Sequence, residues 1–101
     1  MRILTDYAGV DIRLTDERLE HIERRPEMDG QLDRIEETLA QPDELRRSDR
    51  DEQVHLYYRR YAETPVTEKL LLVVVKRESE SPFVITAFYT DRLKSGTPIE
   101  R

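Results

Sequence analysis

Six consecutive apolar residues, Leu70-Leu71-Leu72-Val73-Val74-Val75, stand between Lys69 and Lys76. Three of the six are β-branched, which favours a pleated strand over a helix. The run has the length of a strand and is short for a globular helix. A half-buried strand alternates apolar with polar residues, and this one does not. It is therefore predicted as the central strand of a sheet covered on both faces, with Val73 and Val74 both buried. A second strand, Phe83-Val84-Ile85-Thr86-Ala87-Phe88-Tyr89-Thr90, follows after a short polar link at 77–82. That spacing suits an antiparallel hairpin, because a helical crossover needs a dozen or more residues.

The remaining elements arrange themselves around this pair. Residues 3–7 and 10–14 read as two short extended segments, with Ala8-Gly9 able to turn between them. Thr15 is a good N-cap, and Asp16 and Glu17 place acid in the first turn of a helix running to about Arg24. Pro26 restricts Arg25 and breaks that helix. A second helix is expected from Asp29 or Gly30 to Ala40, with Leu32, Ile35 and Leu39 as its buried stripe. Residues 43–48 suit a short strand. Residues 54–61 suit a longer one, whose parity separates Val54, Leu56 and Tyr58 from His55, Tyr57, Arg59 and Tyr61. One side is apolar, the other aromatic and basic. A basic turn at 91–96 and a tail with a last short strand complete the chain.

The 101 residues suit one domain. There is no cysteine, so neither a disulfide framework nor a thiolate metal site is available. No stretch approaches a membrane span, and the early Asp6 does not suit a signal peptide; both favour a cytoplasmic protein. The net charge of −5 argues against generic nucleic-acid binding. Its distribution says more. Residues 1–45 hold 6 basic and 13 acidic side chains, and residues 46–101 hold 11 basic and 9 acidic. The strand-rich half can thus carry a local positive surface, although charge runs are also ordinary solvated faces.

Three clusters could carry chemistry. Arg18, His21 and Arg25 fall on one stripe of the first helix, next to Leu19 and Ile22. A histidine at that border can be half buried and titrate near neutrality; periodicity alone favours an ordinary surface or boundary histidine. His55-Leu56-Tyr57-Tyr58-Arg59-Arg60-Tyr61 interleaves arginines that hold phosphate with tyrosines that stack on unpaired bases. Tyrosine also favours strands for its own sake. Thr86 interrupts an apolar run, so its hydroxyl has a structural partner or faces a site. Two histidines 34 residues apart make a poor metal set, and no glycine-rich phosphate loop is present.

The order and spacing of the motifs resemble a phage- and prophage-associated nuclease-like family of the barnase–EndoU–colicin–RelE fold superfamily. The resemblance runs from the segment Leu14 to Met28 through Pro42-Asp43-Glu44-Leu45-Arg46-Arg47-Ser48, Leu56-Tyr57-Tyr58-Arg59 and Leu72-Val73-Val74-Val75-Lys76. It closes on the Phe83 to Thr90 strand and Lys94-Ser95-Gly96. It implies an α+β fold, with N-terminal helices packed on a curved antiparallel β-sheet in the manner of barnase and RelE. It implies a metal-independent endoribonuclease, toxin-like or prophage-derived, that needs no cofactor and acts on RNA. The alternative is a catalytically inactive RNA- or protein-binding module of the same fold. By position, His21, Arg59 and Thr86 would be catalytic. Arg25, Tyr57, Lys76 and Tyr89 would bind substrate, and an antitoxin or immunity protein would be a partner. The family pattern has a histidine just before the proline; Arg25 stands there instead, which removes one proton carrier.

Overall fold

The computed structural model describes residues 1–67, 69–78, 81–94 and 96–100. Among these residues the strands are β1 (Arg2–Thr5), β2 (Asp11–Leu14), β3 (Glu44–Ser48), β4 (Val54–Tyr61), β5 (Lys69–Lys76), β6 (Phe83–Thr90) and β7 (Gly96–Pro98). The helices are α1 (Asp16–Glu23) and α2 (Leu32–Ala40), with a 3-10 turn at Pro26–Met28 between them. The strands form one sheet in the order β1-β2-β6-β5-β4-β3-β7. The link at 77–82 and the turn at 91–96 include Ser79, Glu80 and Ser95, which lie outside the described residues.

The apolar run lies in the middle of the sheet, as its composition requires. β5 pairs antiparallel with β4 from Val54↔Lys76 to Tyr61↔Lys69, and antiparallel with β6 on its other side. A bulge between Val74 and Val75 shifts the β6 register, so Val74 faces Thr86 while Val75 faces Val84. The layout departs from helices followed by an antiparallel sheet in two ways. The β1–β2 hairpin precedes both helices, with Gly9 at φ +81° in its turn. β2 then meets β6 in parallel, at Arg13↔Phe83.

Local chemistry sets the helices. The Thr15 hydroxyl accepts a hydrogen bond from Arg18 N at 3.1 Å, an N-cap that stabilises by about 1 kcal/mol. α1 stops ahead of Pro26, which restricts Arg25 to extended backbone (φ −76°, ψ 122°). The second helix starts two to three residues later than the acid at Asp29 suggests. Asp29 instead closes the 3-10 turn, its N–H bonded to the Pro26 carbonyl, and Gly30 turns the chain at φ +73°. The stripe α2 buries fully is Ile35, Thr38 and Leu39, with Leu32 only half buried. Thr38 is tolerated there because its hydroxyl donates to the Arg34 carbonyl at 2.7 Å.

Both faces of the sheet carry apolar residues, unequally. On the helix side, Ile22, Met28, Ile35 and Leu39 join Tyr57, Leu71, Val73, Val75, Val84 and Ala87 in the main core. On the other side, Leu56, Tyr58, Leu70 and Leu72 form a smaller cluster, with Val54, Val74 and Phe88 packed against it. Among the described residues no helix covers this second side, and Val74 is half buried while Val73 is fully buried. The expectation that both valines are buried thus holds for Val73 alone. Among the described residues no helix is long and apolar enough to cross a membrane.

Candidate nucleic-acid interface

Strand parity decides which side chains share the open side. Pairing places Glu44, Tyr58, Leu72 and Phe88 in one row across β3 to β6, and Arg46, Leu56, Val74 and Thr86 in the next. Lys76 follows at the end of β5. The floor is apolar, with the Tyr58 ring on β4, a hydroxyl and an aromatic ring on β6, and the Glu44–Arg46 ion pair on β3. Thr86 is half buried, and its hydroxyl makes no hydrogen bond among the described residues.

Two cations from distant parts of the chain meet on that β6 ring. The Arg25 guanidinium carbon lies 4.9 Å from the Phe88 centroid and Lys94 Nζ lies 5.5 Å from it. Arg25 gets there because β2 pairs with β6 only near Phe83. Beyond that point α1 and the 3-10 turn pack along β6, and the extended Arg25 reaches round the strand. Lys94 is held by its backbone. Its N–H donates to the Tyr58 hydroxyl at 2.7 Å, and its carbonyl accepts from Arg46 Nη1 at 3.3 Å. Burial pushes the Tyr58 phenol above its usual pKa, so it stays protonated. Neither Arg25 nor Lys94 has an ion-pair partner among the described residues. A cation–π contact at an exposed site contributes about 0.5–1 kcal/mol. A hydrogen bond to a charged group contributes about 1.5–3 kcal/mol. A phosphate arriving here therefore competes well with the ring for both cations, and the freed ring is a surface on which a base can stack.

The other predicted site residues divide between the two sides. His21 is exposed on the outer flank of α1, beside a groove of about 420 Å³ lined by Thr15, Glu17, Arg18, Glu20 and Arg24. Its imidazole makes no hydrogen bond or ion pair among the described residues. The expected half-burial against the sheet is therefore corrected: Ile22 takes the buried position and turns His21 outward. His21 precedes Arg25 by four residues, but Arg25 lies beyond the end of α1 in extended backbone and does not line the groove beside His21. Arg59 points to the helix side, opposite to Thr86. It donates from Nη1 to the Gln41 carbonyl at 2.7 Å and lies 3.5 Å from Glu37. Arg59 and Thr86 therefore share no cleft, and Arg59 serves the C-terminus of α2.

Tyr57 is fully buried, its hydroxyl donating to Asp6 Oδ2 at 2.8 Å. Burial and that carboxylate push its pKa upward. The side of β4 read as aromatic and basic is thus the side beneath the helices, and Tyr57 is closed to a base. Tyr89 is on the same side, bonded to Gln31. Tyr61 donates to Glu37 at 2.6 Å, and burial with this carboxylate pushes its pKa up to about 12. Lys76 is on the open side but pairs with Asp51. Sequence reasoning missed Phe88 and the role of Lys94. The usable signal was parity, since Phe88 must share a side with Thr86.

Among the described residues no three His, Cys, Asp or Glu side chains are grouped to hold a metal ion. No curated protein and no solved structure matches the chain. One family does, over residues 1–98, and its description combines a phage association with the nuclease folds whose motif order the sequence resembles. The chain belongs to the phage-Barnase-EndoU-ColicinE5/D-RelE like nuclease2 family.

Proposed function

We propose that this protein is a metal-independent ribonuclease, prophage-derived or toxin-like, that takes single-stranded RNA on the open side of its sheet. On this reading the layout is barnase- or RelE-like, with helices on one side and substrate on the other. The observation that carries it is the convergence of Arg25 and Lys94, both without ion-pair partners, on Phe88. Phosphate would draw the two cations, an unpaired base would stack on the ring, and the Thr86 hydroxyl would orient a phosphate oxygen. His21, four residues before Arg25, would carry the proton at the ribose 2′-hydroxyl or the leaving oxygen. Arg25 would take the charge-stabilising part that position alone had suggested for Arg59. An acidic antitoxin or immunity protein would act by covering the same side.

The test is cleavage of a labelled single-stranded RNA in EDTA. The native protein is expected to cut. His21→Ala is expected to lose about 10²–10⁴-fold in rate, the usual scale of acid–base catalysis. Undiminished cleavage by His21→Ala would overturn the assignment. One observation favours a second reading, a module of the same fold that binds RNA or protein without cutting it. The other histidine, His55, projects from the helix side, so no second imidazole accompanies His21, and Arg25 occupies the position before the proline. Binding without cleavage is the result that selects this reading.

A further inference from the structure

At the end of the sheet away from Phe88, on the helix side and outside the interface described above, His55 and Arg77 line one cleft and Arg47 neighbours His55 on the next strand. His55 of β4 is the direct partner of Arg47 on β3 and of Val75 on β5. Arg77 follows β5, anchored by its backbone N–H to the Gln53 carbonyl at 2.6 Å. His55 and Arg77 line an open cleft of about 670 Å³, together with Val10, Gln53 and Pro82.

The side chains leave unspent capacity. His55 Nδ1 is buried and has no hydrogen-bond partner among the described residues, a state that costs about as much as a lost hydrogen bond. The His55 side chain as a whole is half buried and lines the cleft. Arg47 is exposed, with no side-chain hydrogen bond or ion pair among the described residues. Among the described residues Arg77 gives one of its nitrogens to the interior: Nη1 donates to the Tyr57 hydroxyl at 3.1 Å and lies 3.5 Å from Asp6. Asp6 itself is already satisfied by Ala8 N, Val10 N and Tyr57. Burial and the charges of Arg77 and Arg47 hold the imidazole below its usual pKa, with Asp6 opposing. The carboxylates of Asp11, Glu52 and Glu78 also line the cleft, and all three are exposed. They disfavour a bare anion and favour a ligand that offers them hydroxyl or amino donors.

We propose that His55, Arg47 and Arg77 form a phosphate-binding site for a nucleotide, with its sugar and base directed towards Asp11, Glu52 and Glu78. The cleft has room for one nucleotide unit. The site is independent of the open side and of any cleavage there. Its source is a free nucleotide or the phosphorylated end of an RNA strand.

The test uses the two histidines as reporters. Proton NMR of the imidazoles is followed while adenosine monophosphate, inorganic phosphate, adenosine or a 5′-phosphorylated RNA trinucleotide is added, with sodium chloride as a control at matched ionic strength. The His21→Ala variant assigns the two signals. Adenosine monophosphate is expected to displace the His55 signal saturably, to raise its pKa, and to bind at least tenfold more tightly than inorganic phosphate. Arg47→Gln, a surface change that leaves the melting curve in place, is expected to weaken binding about tenfold or more. The trinucleotide distinguishes the sources: tighter binding than the mononucleotide assigns the site to an RNA end, and weaker binding to a free nucleotide. No saturable displacement of His55 would overturn the proposal. So would equal displacement by sodium chloride, equal affinity for inorganic phosphate, or undiminished binding by Arg47→Gln.

Discussion

The Arg25 guanidinium lies 4.9 Å from the centre of the Phe88 ring, on the side of the sheet opposite the helices. It is brought there by a proline that stops a helix and by a strand whose outer edge is only partly paired. Lys94 approaches the same ring without any carboxylate partner among the described residues. The relationship predicts that RNA affinity falls steeply as salt rises. Arg25→Ala and Lys94→Ala should each lower the slope of log K against log salt by roughly 0.7, the single-strand value per phosphate contact. Filter binding across a salt series checks this, and an unchanged slope in both variants would remove the phosphate role.

Arg59 gives the opposite prediction. Its guanidinium satisfies the Gln41 carbonyl at the C-terminus of α2, where a cation also complements the helix dipole. Arg59→Ala should destabilise the fold by about 1.5–3 kcal/mol, seen as a lower melting temperature. RNA affinity measured below that melt should be unaffected. A variant that melts normally but loses RNA binding would return Arg59 to the interface.

Val73 and Val74 are neighbours with different exposure. Val73→Asp puts an unpaired charge in the main core and should cost more than about 4 kcal/mol, enough to prevent folding. Val74→Asp can turn its carboxylate to water on the open side and should cost about 1–2 kcal/mol. Equal melting temperatures for the two variants would contradict the assignment of sides.

His55 makes stability depend on pH. Burial, then Arg77 and Arg47, hold its pKa below the ordinary 6.5 in the folded protein. The unfolded chain therefore binds more protons below that value. The His55 contribution is fully present above pH 6.5 and is lost as pH falls through the folded pKa. His55→Gln should flatten this part of the curve of stability against pH, measured by urea denaturation in steps from pH 7.5 to 5. An unchanged slope would show that the loss comes from other groups.

The strands were legible because their signals are local. A run of six apolar residues between lysines cannot be satisfied at an edge, and β5 lies in the middle of the sheet. The Thr15 cap and the Pro26 break are equally local and hold. What the sequence does not carry is which side of a strand the helices cover. In β4 the two parities are Leu56 with Tyr58 and Tyr57 with Arg59, and both are largely buried. Parity separated these sets correctly, but the aromatic and basic set went beneath the helices. Arg59 and Tyr57 were thereby withdrawn from the interface. The meeting of Arg25 with Lys94 depends on strand order, which no local pattern encodes. The start of α2 was obscured for a smaller reason: Asp29 resembles an N-cap, yet it closes the preceding turn.

The strand order also bears on how the protein is made. β2 finds its sheet neighbour in β6, and β3 finds its outer neighbour in β7. Both flanks of the sheet thus wait for residues 83–98. Contacts between segments so far apart in sequence must close long loops before they are rewarded, which places folding towards the slow end for a domain of this size. On a ribosome adding about 5–20 residues per second, the β1–β2 hairpin and both helices emerge seconds before the strands that hold them. A nascent chain has neither a completed sheet nor the cation pair at Phe88. Its apolar β5 run, once made, stays exposed until β6 follows, which makes the time between synthesis of β5 and of β6 the one in which this chain is most open to aggregation or to capture by a chaperone.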